Sequence, residues 1–86
     1  MEPYLVTFSS THAALAFEAA FGAEGRLVPV SPDVRAGCGM ALRFTAVSDE
    51  RAVDRVFEVA RSCQVEDHIE GLYGMSEPFY EVSLAH

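Results

Sequence analysis

The sequence predicts an α+β fold, a ferredoxin-like βαββαβ sandwich in which two helices cover one face of an antiparallel sheet. Three observations carry this. Aromatic and β-branched runs alternate with two stretches of helical periodicity, the order reads strand-helix-strand-strand-helix-strand, and 86 residues, half of them hydrophobic, suffice for one core and no more. Residues 1–86 read as a single domain, with 76–86 as a C-terminal extension that supplies a possible extra strand.

Each element has a local cause. Tyr4-Leu5-Val6-Thr7-Phe8 is rich in strand formers and ends at Ser9-Ser10-Thr11, a cluster able to cap a helix. From His12 to Phe21 the apolar residues Ala13, Ala14, Phe17, Ala20 and Phe21 recur at helical spacing, and Gly22 stops the run. Arg26-Leu27-Val28-Pro29-Val30 reads as a second strand, which Pro29, with Pro32, confines to a sheet edge or brings to an end. Met40 to Thr45 is the third strand. Ser48-Asp49-Glu50-Arg51 opens a second helix, with acidic residues where the helix dipole favours them and Val53, Val56, Phe57 and Ala60 forming its buried stripe. Asp54, Arg55, Glu58 and Arg61 read as solvated charges. Ile69 to Met75 gives a fourth strand, and Phe79 to Leu84, after Pro78, a short fifth one.

Composition narrows the function classes. A net charge of −7, with six arginines and no lysine, opposes a phosphate-tracking nucleic-acid binder. No signal-peptide pattern opens the chain and no apolar run reaches bilayer length, so the expected compartment is the cytoplasm. Two cysteines, Cys38 and Cys63, make neither a disulfide framework nor a closely spaced zinc pair. They are expected as free thiols or a redox couple, with no metal site and no bound cofactor.

Cys38 is the chemical focus. Gly37 and Gly39 flank it, which removes the Cβ atoms that would crowd a sulfur and permits positive φ. That is how a thiol is presented; equally, the glycines could make only a tight strand start, with Cys38 packing as a small apolar residue. In the predicted topology Ser9 to His12, Pro29 to Gly39 and Cys63 to His68 converge at one end of the sheet. The free N–H groups of the first helix would then favour a thiolate at Cys38, with His12 as a proton acceptor or positive charge and Arg35 nearby. His68 and His86 have weaker claims. Cys63, with nothing glycine-rich or basic around it, reads as an apolar filler.

The succession Val6-Thr7-Phe8-Ser9-Ser10-Thr11-His12-Ala13-Ala14-Leu15, then Leu27-Val28-Pro29-Val30-Ser31-Pro32, then Gly37-Cys38-Gly39-Met40-Ala41-Leu42-Arg43-Phe44 resembles the selenium/sulfur carrier protein-like family, a small bacterial Cys-Gly domain. The resemblance runs through Tyr73 and rests on the order and spacing of its pieces. It implies carriage of sulfur or selenium as a persulfide or perselenide on Cys38. Thr11 and His12 match the family's helix start. Implied partners are a sulfur or selenium donor such as a cysteine desulfurase and an acceptor protein.

A carrier needs only an accessible thiolate and a docking surface, so the chain reads as a carrier rather than a stand-alone enzyme. The competing class is a non-catalytic module that binds a small ligand or another protein. Metal carriage by Cys38 with His12 or His68 ranks third. The alternating tail Pro78-Phe79-Tyr80-Glu81-Val82-Ser83-Leu84 suits strand addition at a sheet edge, and a homodimer is expected from it.

Overall fold

The computed structural model describes residues 1–30 and 39–84. Its elements are β1 (Glu2–Phe8), α1 (Thr11–Phe21), β2 (Arg26–Pro29), β3 (Met40–Ala46), α2 (Asp49–Ser62), a single 3-10 turn (Glu66–His68), β4 (Ile69–Gly74) and β5 (Tyr80–Val82). The chain is α+β: two helices and a five-stranded antiparallel sheet of order β2-β3-β1-β4-β5. β2, carrying Pro29, lies at one edge, where its missing N–H costs no ladder bond.

Both helices begin on serine caps. Ser10 Oγ accepts from the Ala13 N–H at 3.1 Å and Ser48 Oγ from the Arg51 N–H at 3.2 Å. Thr11 is thus the first helical residue and not the cap. α1 ends at Gly22, and Glu18 ties its last turn to β2 by accepting from the Leu27 N–H at 3.0 Å.

The register sorts side chains onto two faces. Leu27, Leu42, Val6, Leu72 and Val82 stand in one row across all five strands, facing the helices. Onto this row pack Ala13, Ala14, Phe17 and Phe21 from α1 and Ala52, Val53, Val56, Val59 and Ala60 from α2. Phe17 stands 5.1 Å from Phe8, and Phe21 5.3 Å from Phe44, centroid to centroid, at tilts typical of favourable aromatic pairs. The opposite face carries a smaller cluster, without any helical residue among those described: Leu5 and Ala41, packed with Val28, Val30, Tyr73 and Met75.

Two sequence expectations need correction. Ala20 is exposed, because the core stripe of α1 is filled by residues 13, 14, 17 and 21. Arg55 is not a freely solvated charge: its guanidinium lies 4.5 Å over the Phe21 ring, pairs with Glu58 at 2.9 Å and donates to the Phe21 carbonyl at 3.4 Å. The expected C-terminal strand is present, Tyr80–Val82 lying against β4 at the sheet edge.

Candidate functional site

β1 runs to Phe8 at the sheet end where α1 starts, and antiparallel pairing brings the start of β3 and the end of β2 to that same end. The Val30 N–H donates to the Gly39 carbonyl at 3.3 Å, closing the base of the β2–β3 connection. α2 climbs back there too, delivering Cys63 and the turn that holds His68. The Ser9 N–H donates to the His68 carbonyl at 2.9 Å, and Ser9 Oγ lies 3.0 Å from His68 Nδ1. The described parts of the three segments therefore share one end of the sheet.

Of the candidate site residues, Thr11 and His12 occupy the exposed first turn of α1, where backbone N–H groups lack helical partners. Gly39 has φ +75, a conformation L side chains rarely adopt, so glycine is required immediately after Cys38. Cys38, Gly37 and Arg35 lie outside the described residues. His68, given the weaker claim by sequence, is joined to Ser9 at the end of β1; the contact spans 59 positions, and no local pattern marks it.

Cys63 caps the C-terminus of α2, half-buried against the helix-side core. Burial pushes its thiol up, and the Glu66 carboxylate adds to the rise. Its Sγ donates to the Val59 carbonyl at 3.3 Å. This is a thiol kept protonated, suited to packing rather than attack.

A second polar cluster sits at the other end of the sheet. The hydroxyls of Tyr4 and Tyr80 each donate to Asp49 Oδ1 at 2.7 Å. The two donors, Tyr4 first, hold the Asp49 carboxyl below its usual range, while burial and then the hydrogen bond to Asp49 push the Tyr4 phenol well above its own. In the sequence Asp49 is marked only as a helix-start acid. Its tyrosine partners lie 45 and 31 positions away.

Among the described residues no group of three or more His, Cys, Asp or Glu side chains is arranged to hold a metal ion, and no helix is long and apolar enough to cross a membrane. No curated protein and no solved structure matches the chain. The family described as "Putative Se/S carrier protein-like" matches residues 3–73, from β1 into β4 and across the position of Cys38. The chain belongs to that Se/S carrier protein-like family.

Proposed function

We propose that this protein is a cytoplasmic sulfur or selenium carrier on a ferredoxin-like sandwich with a fifth strand appended beside β4, and that Cys38 bears the cargo. The observation that carries the reading is the family match, whose span includes Cys38. Two features support it. The residue following Cys38 has a glycine-only backbone, and it is anchored at the sheet end that also bears the N-terminus of α1, with Thr11 and His12 in its first turn.

The transfer is a substitution at sulfur. The Cys38 thiolate attacks the outer sulfur of a donor persulfide, on an enzyme such as a cysteine desulfurase. One S–S bond forms at Cys38, the donor's S–S bond breaks, and the donor leaves as a thiolate. An acceptor protein's thiolate attacks the carried atom in the same way, releasing Cys38. No net oxidation or reduction occurs, so the step requires no resident cofactor. Thr11, His12, Gly37, Gly39 and Arg35 are assigned to binding and presentation of the loaded thiol.

Intact-mass analysis after incubation with a cysteine desulfurase and free cysteine tests this. One added sulfur, about 32 Da, is expected on wild type and none on Cys38→Ser, with removal by a reductant or acceptor thiol. Added selenide decides which element is preferred. A wild type that stays unmodified while a known carrier is loaded overturns the reading in favour of a non-catalytic binding module.

A further inference from the structure

The face of the sheet turned away from the helices carries one row whose chemistry changes from edge to edge. The register sets Arg26 opposite Arg43, Arg43 opposite Leu5, Leu5 opposite Tyr73 and Tyr73 opposite Glu81. Directly opposed residues of an antiparallel sheet share a face, so these five side chains form a single line across β2, β3, β1, β4 and β5. Both arginines and Glu81 are exposed, and among the described residues none of the three forms an ion pair.

Two features of the line are unfavourable in an isolated chain. Like charges placed directly opposite on neighbouring strands repel, and Arg26 and Arg43 are two of only six cations in a chain of net charge −7. At the other side of the row Phe79 stacks on Tyr73, centroids 5.4 Å apart and planes 17° from parallel, while remaining 42 % exposed. Among the described residues no helix packs on the apolar middle, Leu5 with Val28, Val30, Tyr73 and Met75.

Reversed, the row complements itself. Leu5 lies on β1, the central strand of five, two strands from each edge. A twofold axis running along β1 between two stacked sheets would place β2 of one copy over β5 of the other. Arg26 would then meet the second copy's Glu81, and Arg43 would meet its Tyr73. Strand spacing puts Arg26 and Glu81 about 19 Å apart within one chain, too far to pair. Stacked sheets lie about 10 Å apart, a gap that an extended arginine and a glutamate span together.

We infer that this sheet face is a homodimer interface, its occupant a second copy of the chain, with Arg26–Glu81 ion pairs at both margins and Arg43 packed on Tyr73 inside them. The chain's own charge complementarity singles out the second copy, and the inference does not depend on the chemistry at Cys38. It replaces the outer edge of β5 with a face as the pairing surface.

Sedimentation of full-length variants tests it. Wild type is expected to dimerise at tens of micromolar, and more weakly as salt is raised. Arg26→Glu and Glu81→Arg each place two like-charge pairs in the dimer and are expected to raise its dissociation constant roughly a hundredfold. An equimolar mixture of R26E and E81R is expected to recover the dimer, because both pairs in the mixed dimer are then of opposite sign. The double variant R26E/E81R is expected to dimerise alone, with the signs exchanged. Circular dichroism of each single variant verifies folding, and recovery on mixing establishes it independently. A wild type monomeric at millimolar concentration, a dimer indifferent to both single changes, or folded single variants that do not recover on mixing would each overturn the proposal.

Discussion

The Tyr80 hydroxyl donates to Asp49 Oδ1 at 2.7 Å and so fastens the last strand to the first residue of α2. Tyr4, from the central strand, donates to the same oxygen. One carboxylate thereby joins β1, β5 and the start of the second helix.

This junction sets a pH window for stability. The Asp49 carboxyl is lowered in the folded chain, so its contribution is present above the ordinary carboxylate value of about 4 and is lost as pH falls through the lowered one. The Tyr4 phenol is raised, so its contribution is present below the ordinary value of about 10 and is lost as pH climbs through the raised one. Asp49→Asn is expected to melt below wild type at neutral pH, the gap closing in acid where both side chains are uncharged. Tyr4→Phe, which removes a buried hydroxyl bonded to a charged partner, is expected to cost about 1–2 kcal/mol by denaturant unfolding. A melting difference that persists unchanged through the acid limb would show that the carboxylate charge plays no part.

Gly74 supplies the second prediction. A Cβ built there overlaps the hydroxyl end of the Tyr80 side chain, so the ring's position over β4 depends on the absent side chain. Gly74→Ala is expected to push Tyr80 off the strand and weaken both its bond to Asp49 and the β4–β5 pairing. The loss should be about 1–3 kcal/mol, typical of overpacking. Hydrogen exchange should accelerate first in β5. Uniform acceleration across the sheet would mean that the defect is global rather than confined to the Tyr80 junction.

Local signals account for most of what the sequence reveals of the fold. The stripe Val53-Val56-Ala60, the Ser48 cap and the Gly22 stop all act within a few residues, and each recurs in the structure. What escaped depends on register. Ala20 matches the helical stripe by spacing, yet the surface it would need is filled by Phe17 and Phe21. Arg55 looks like any exposed helical charge until packing brings Phe21 beneath it, 34 positions away. The same holds at the candidate site. Gly39's positive φ is legible beside Cys38, whereas the Ser9–His68 contact exists only once β1 and β4 are aligned.

Gly39 allows presentation to be separated from stability. Its φ of +75 is strained for any L residue, but among the described residues beyond its chain neighbours no atom lies within 4 Å of a Cβ placed there. Gly39→Ala is therefore expected to cost about 1–2 kcal/mol through backbone strain alone. Relief of that strain would rotate the chain next to Cys38, so sulfur loading should slow several-fold while circular dichroism stays native. Loading at the wild-type rate, with the stability loss observed, would show that the glycine serves only the strand start.

The two thiols should differ in kind. Cys63 is half-buried, donates to the Val59 carbonyl at 3.3 Å, and has its thiol pushed up by burial and then by Glu66. At neutral pH it holds little thiolate, and alkylation rates follow thiolate fraction and access. Iodoacetamide is therefore expected to modify the protein in two phases, the fast one lost in Cys38→Ser and the slow one in Cys63→Ser. Raising the pH by two units should accelerate the slow phase far more than the fast one, since under the proposed carrier role Cys38 is already a thiolate and gains little. Cys63→Ala should load sulfur normally, because the residue packs half-buried at the end of α2 with its thiol pushed up. Equal alkylation rates at the two cysteines, with the same pH dependence, would return Cys38 to a packing role and remove the chemical basis for a carrier.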